Sequence, residues 1–439
     1  MRDILRYMSW FSTRLVAVFV IAVVATTCHR AESPKPAPVR SRGGGEGVAA
    51  IPRIGAPPAV RAPEPISAPS LGEAFAGVRR PDYRALERAL ARYDTLAADS
   101  TIPEFPTPER LPVSPGDSLA TANALRTRLA ALGDLDRAAA ADPDPWYSGD
   151  VVDAVRRFQA RHGLDADGVI GRATLAQLQT PLRDRVTQIE AALVRIRREP
   201  VVDSGRFIVV NVPAFTLFAY DDGFRDTTPA LVMKVIVGRA GRLDTPSLEE
   251  ELQYLDFWPD WNVPRSILTR EIIPLLRADT TYLHRQNMEL MQGRDLALGD
   301  TVTPAVIEQL ESGRLWVRQR RGPTNPLGRV KFAMPNDSNV YLHDTPDKSL
   351  FARARRDLSH GCIRLERARD LAIWAMRERP DWNTDSVDVA LAGPAFRRVT
   401  LAQPIPVLVV YVTVVAMPDG TVRFVPDIYG RNGDPTNGW

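Results

Sequence analysis

The spacing of apolar residues changes once along this 439-residue chain, near Arg206, and that switch divides it into two kinds of structure. Before it, Tyr83, Leu86, Leu90 and Tyr93 recur at helical intervals, as do Leu125, Leu129 and Leu132, then Val151, Val155 and Phe158. After it the period becomes that of strands: 207–212, Thr216–Tyr220 and 231–237, with Asp221-Asp222-Gly223 as a turn. Strands are expected again at 315–317, 330–332, 340–342 and 407–415, after an interval from about 264 to 310 that reads as helical. Short strands joined across a glycine turn predict an antiparallel sheet. The expectation is a multidomain α+β chain, helical first and β-rich later.

The helical part has its own punctuation. Residues 29–78 are rich in proline, with Gly43, Gly44 and Gly45 in a row and few large apolar side chains, so they cannot bury enough surface to fold. As an extended tether they would reach on the order of 120 Å. A second proline-rich break covers 102–115. In the stretch Asp150 to Leu175 a helix bearing Val151, Val155 and Phe158 should stop at Gly163. Asp167-Gly168 and Gly171 then make a turn that opens a helix at Thr174. His162, with no second histidine or cysteine nearby, reads as a surface or capping residue.

At the N-terminus Arg2, Arg6 and Arg14 precede the apolar run 15–25, the layout of an export signal. That run is short for a membrane span, although Trp10 and Phe11 lengthen it enough to keep an anchor open. Cys28 follows, so three outcomes share the pattern: lipidation at Cys28, a cleaved signal, or a retained anchor. With 44% hydrophobic and 25% charged residues the remainder has the composition of a soluble globular protein. A net charge of +3, with arginines scattered among acids, supplies no nucleic-acid surface.

The chain has two cysteines. With Cys28 removed or lipidated, Cys362 has no disulfide partner, and one thiol among scattered histidines cannot assemble a zinc site. Cys362 is then either a small buried apolar side chain or a nucleophile. A nucleophilic thiol needs a base and donors for an oxyanion. Of five histidines, His343 and His360 are the nearest before it, and Gly361 lets the backbone turn its N–H groups toward a carbonyl.

Phe158-Gln159, Gly163-Leu164, Asp167-Gly168, Gly171 and Thr174-Leu175 together resemble the small three-helix peptidoglycan-binding domain. Tyr341-Leu342-His343-Asp344-Thr345-Pro346, followed by Ser359-His360-Gly361-Cys362-Ile363-Arg364, resembles the signature of the L,D-transpeptidase (YkuD-type) family. Ile236-Val237-Gly238, Thr245-Pro246, Trp261-Asn262-Val263-Pro264, Asn325-Pro326-Leu327-Gly328, Lys331-Phe332 and Asp427-Ile428-Tyr429-Gly430 extend the likeness to the large YcbB-like subclass.

The resemblance covers roughly residues 80 to 431, and with the readings above it gives an order of parts: an export or lipoprotein signal (1–28), the tether (29–78), a helical scaffold segment (79–116), the peptidoglycan-binding domain (117–180), a scaffold helix (181–204), a catalytic domain (205–431) with a helical capping insertion at about 265–312, and a tail (432–439). It also implies Cys362 as nucleophile, His343 as base and an oxyanion hole around Gly361 and Cys362. Tyr341, Ser359, His360 and Arg364 become substrate-contact or loop-supporting residues, with His360 the rival base and Asp344 or a backbone carbonyl orienting His343. The implied reaction passes the diaminopimelate acyl group of a tetrapeptide stem to another stem's amine, with water, a D-amino acid or an envelope protein as other acceptors. A catalytically silent wall-binding scaffold is the reading from another class. The expected partners are stem peptides and glycan, with a membrane only through Cys28 or the N-terminal anchor. No cofactor and no metal are expected, and the protein should be a monomer in the periplasm or cell envelope.

Overall fold

The computed structural model describes residues 81–198, 202–223, 228–416 and 421–432. The signal segment, Cys28, the whole tether and most of the tail therefore lie outside the described residues. Among the described residues no helix is long and apolar enough to cross a membrane.

Helices Ala122–Leu132, Asp150–Arg161 and Arg172–Gln179 bury Leu125, Leu129, Val151, Val155, Phe158 and Leu178 in one small core. The first ends at Gly133, which takes the left-handed conformation (φ +87°) a side chain would resist. The turn after the second is held by a buried amide. Gln159 Nε2 donates to Asp167 Oδ1 and to the Val169 carbonyl, both at 2.9 Å, while its Oε1 accepts from the Gly168 N–H at 2.9 Å. His162 is 1% exposed rather than at the surface, because its ring lies between Phe158 and Phe424.

From Phe207 the strands run in order: β1 (Phe207–Asn211), β2 (Thr216–Tyr220), β3 (Leu231–Gly238), β4 (Leu248–Phe257), β5 (Trp261–Asn262), β6 (Met288–Gln292), β7 (Leu296–Gly299), β8 (Leu315–Gln319), β9 (Val330–Ala333), β10 (Leu342–His343), β11 (Asp357–Ser359), β12 (Ile363–Leu365) and β13 (Arg397–Val410). Nine of them form one sheet, ordered β11-β3-β12-β10-β9-β4-β13-β1-β2. β2 also pairs with the first half of β3, whose second half pairs with β12, so the sheet closes on itself. The sheet is mixed rather than purely antiparallel: β1 with β13, β10 with β12 and β11 with β3 run parallel. Helices Ala368–Met376 and Thr384–Ala392 lie between β12 and β13, which are not neighbours in the sheet.

β13 is apolar at consecutive positions because both its faces are covered. Val407 and Val409 face the ring core with Leu217, Phe332 and Ile363. Leu408 and Val410 face outward, where Tyr83, Leu86 and Tyr93 of helix Pro81–Ala98 and Val186, Ile189 and Leu193 of helix Leu182–Ile196 cover them. The interval expected to be wholly helical is mixed: β5, β8, β6 and β7 make a second sheet, and short helices pack on it around Leu268, Leu276, Leu283 and Val317. Met288, Leu290 and Met291 suit either period; Gly293, at φ +59°, turns the chain into a hairpin instead.

Candidate active site

The parallel pairing of β10 with β12 sets Leu342 opposite Ile363 and His343 opposite Arg364. Side chains alternate across a strand, so Leu342 and Ile363, both fully buried, enter the ring core. The residues between them, Tyr341, His343, Cys362 and Arg364, share the other face. The pairing continues one step back, where the Ile363 N–H donates to the Tyr341 carbonyl at 3.0 Å. Tyr341 and His343 rings lie 5.7 Å apart, and Lys331 Nζ is 4.0 Å from the Tyr341 ring centre.

A hydrogen-bonded bend fixes the cysteine loop. Ser359 Oγ accepts from the Gly361 N–H at 3.1 Å and donates to the Cys362 carbonyl at 2.6 Å. Gly361 has φ +116°, a conformation that favours glycine. Its carbonyl accepts from Thr245 Oγ1 at 2.8 Å, and Thr245 Oγ1 accepts from the Gly238 N–H at 2.8 Å. Tyr429 Oη accepts from the Thr245 N–H (3.1 Å) and donates to the Gly238 carbonyl (2.6 Å). Tyr411 Oη accepts from the Tyr429 N–H at 2.8 Å and donates to Asp427 at 2.5 Å. Ser359 occupies the Gly361 N–H, whereas the Cys362 N–H, next to the thiol, has no acceptor among the described residues. Gly361 thus shapes the loop rather than offering its own N–H.

Cys362 is half-buried, with Sγ 3.6 Å from the Asn339 carbonyl. Burial pushes its thiol pKa up, against hydrogen bonds from the Tyr341 main chain and phenol and the nearby charges of Lys331 and Arg364. The resting group is therefore the thiol. His343 is 4% exposed, and its Nδ1 lies 2.6 Å from the Asp344 carbonyl. A carbonyl only accepts, so Nδ1 carries the proton and Nε2 the lone pair. Burial, reinforced by the charge of Arg364, holds the His343 pKa down at about 3, so the ring is neutral at pH 7.

The Asp344 carboxylate is engaged elsewhere, by the Arg329 N–H (2.9 Å) and Lys348 Nζ (2.7 Å). Gly328 permits this packing: a Cβ there would fall 2.5 Å from Asp344 Oδ2. Of the two orienting groups left open by the sequence, the backbone carbonyl is the one in place. His360 is directed away from this face, its Nε2 2.6 Å from Glu271 Oε1 in the π-helical turn Leu268–Ile272 of the insertion. Arg364 is largely buried, its closest carboxylate contact with Asp347 is 3.5 Å, and its Nε has no partner among the described residues. The structure thus joins Tyr341, His343, Cys362 and Arg364 on one face, places Ser359 and Gly361 in the supporting bend, and takes His360 to the insertion. Sequence reasoning gave no role to Glu271, nor to Thr245 and Tyr429 beyond their place in the resemblance.

Comparison with known proteins agrees with this geometry. Residues 205–393 match the model of the "L,D-transpeptidase catalytic domain" (YkuD), and residues 121–178 match that of the "Putative peptidoglycan binding domain". A Haemophilus influenzae protein described as "Putative L,D-transpeptidase" is 32% identical over 256 residues, which are 58% of this chain and 50% of that protein. The chain thus spans about half the length of this curated relative. Taken with the mixed sheet and the helical bundle before it, these matches identify the chain as a multidomain α+β protein that carries a YkuD-type L,D-transpeptidase catalytic domain and a peptidoglycan-binding domain.

Proposed function

We propose that this protein is a peptidoglycan L,D-transpeptidase that works through a thioester on Cys362. The observation that carries the reading is the state of His343: neutral, fixed in one tautomer by the Asp344 carbonyl, and on the sheet face that bears the thiol. A neutral thiol and a neutral imidazole form an unionised pair at rest, so the proton moves as the bond forms. In the first half-reaction Sγ attacks the carbonyl carbon linking diaminopimelate to the terminal D-alanine, and its proton passes to Nε2 of His343. The oxyanion meets the Cys362 N–H. As the tetrahedral species collapses, the C–N bond breaks, Nε2 returns the proton to the departing amine, and D-alanine leaves. In the second half an amine of another stem attacks the thioester and gives a proton to Nε2. The C–S bond then breaks and the thiol is restored.

Arg364 suits a substrate carboxylate, since it is a largely buried cation with an unpartnered Nε beside the thiol. Tyr341, packed between Lys331 and His343, would line the same substrate face. A substrate of this kind places the protein in the cell envelope, with the N-terminal segment as its export signal or anchor.

A carbapenem, whose strained amide acylates nucleophilic thiols of this family, tests the reading. Intact-mass analysis should show one adduct on the wild type and none on Cys362→Ser. No adduct on a reduced, folded wild type would refute the thioester mechanism.

A further inference from the structure

The three-helix bundle and the catalytic ring meet along a seam that holds two adjoining cavities. One, of about 380 Å³, has Gly163 and Leu164 of the bundle on one side and Lys234 and Arg423 on the other. The second, about 670 Å³ and open to solvent, has Asp165 on the bundle side and Arg239, Arg353 and Leu358 on the ring side. Ala354 lines both, so the two are neighbours on the same seam.

The seam is built rather than loosely apposed. A Cβ on Gly163 would fall 3.1 Å from Pro426, His162 stacks near Phe424, and Asp165 Oδ1 accepts from the Ala354 N–H at 3.2 Å. On the ring side the buried Arg356 guanidinium donates to the carbonyls of Phe215, Val235, Arg353 and Ala354. The groove walls are therefore fixed relative to each other.

Its charges are unequal. Arg355 is satisfied by both oxygens of Asp357, at 2.6 and 2.9 Å, and Asp165 is used on the main chain. Lys234 and Arg423 rest on carbonyls, of Phe351 and Ala160. Glu366 accepts from the Lys234 N–H at 3.2 Å. The three carboxylates that line the groove, Asp165, Asp357 and Glu366, thus each have a donor, whereas the exposed guanidinium groups of Arg239 and Arg353 have no acceptor among the described residues. Leu358 stands four residues before Cys362, a chain separation of at most about 14 Å.

We infer that this groove is a second substrate-binding site, which takes an anionic stem peptide of the peptidoglycan strand and sets its carboxylates on Arg239 and Arg353. The inference rests on the reading of peptidoglycan as substrate. Charge complementarity chooses the occupant, because a stem peptide carries several free carboxylates along an extended chain. The bundle would then act jointly with the ring, holding the wall within reach of the thiol.

The test uses the full chain with Cys362→Ala, so that binding is read without turnover, and titrates disaccharide-tetrapeptide and its carboxyl-amidated form by calorimetry. The Arg239→Glu/Arg353→Glu variant should bind the free-acid fragment about tenfold more weakly, the scale of one lost charge-assisted pair. Amidation should weaken the parent by a larger factor than the variant, in which only the carboxylate contact of Arg364 is left to lose, and Arg239→Lys/Arg353→Lys should restore most of the affinity. In the active background the variant should acquire its carbapenem adduct at the parental rate. Unchanged affinity, or a variant that fails to fold or to form the adduct, would overturn the groove as a separate site. A parent that binds neither fragment would instead overturn the peptidoglycan reading, and the groove with it.

Discussion

His162 in the bundle and His343 in the ring have nearly the same immediate surroundings. Both are almost fully buried, and both hold Nδ1 on a main-chain carbonyl, at 2.7 Å from Phe158 and 2.6 Å from Asp344. Burial pushes both pKa values down. The other side of each ring differs. His162 stacks on Phe158, with ring centres 3.9 Å apart, and lies 5.9 Å from Phe424, whereas His343 stands on the face of Cys362. A depressed pKa and a pinned tautomer thus occur in a packing residue as readily as in the proposed base, and the distinction lies in what the second nitrogen can reach.

The largest expected effect separates the two directly. His343→Ala should lower turnover by about 10³-fold, and Cys362→Ser by at least as much, because a base and its nucleophile act as one unit. His162→Ala should leave turnover per folded molecule within about threefold of wild type while destabilising the chain by about 2 kcal/mol through lost packing. Initial rates on disaccharide-tetrapeptide and urea midpoints measure both. Equal loss of turnover in the two histidine variants would erase the distinction.

Acid stability sharpens it further. A histidine whose folded pKa lies below its unfolded value stabilises the fold fully above about pH 6.5. That contribution falls with pH until the folded pKa, about 3 for His343, is reached. Within that window His343 should make unfolding easier by about 1.4 kcal/mol per pH unit lost, and His162, also held neutral by burial, acts in the same direction. His162→Gln and His343→Gln should each flatten the pH dependence of stability between pH 6 and 4. A slope unaltered in either variant would mean that this ring takes up a proton in the folded state.

The smallest effect concerns the third histidine in the argument. His360→Ala or Glu271→Gln removes one partly exposed side-chain hydrogen bond, worth about 1 kcal/mol, so turnover should fall less than tenfold and far less than in His343→Ala. A loss matching His343→Ala would make His360 the base.

Much of this was legible because the needed signals are local. The helix ends at Gly133 and Gly163 carry their own stop residue, and the reactive face is written in two short segments around His343 and Cys362. β4 was missed: Glu249, Glu250 and Glu251 interrupt its alternation, although Leu252 and Leu255 reach the ring core. β13 was recognised only in its last part, since its register shifts between Thr400 and Ile405 and Pro404 and Pro406 lie near that irregularity. His162 does cap its helix, but its burial was missed because Phe424, the ring that helps bury it, belongs to a distant hairpin strand. The Glu271–His360 pair and the Thr245–Tyr429 lock join residues 89 and 184 positions apart, and no local pattern announces such meetings.

That lock also has a meaning in time. Tyr429 grips Gly238 and Thr245 from a point 191 residues beyond Gly238, and Thr245 in turn holds the carbonyl that precedes Cys362. A chain still being made carries the cysteine long before it carries the tyrosine that sets the cysteine's loop. An unfinished molecule can therefore form the Ser359 bend and the Thr245 contact but not the Tyr429 brace behind them, so the thiol's loop receives its last support from the final described stretch of the polypeptide.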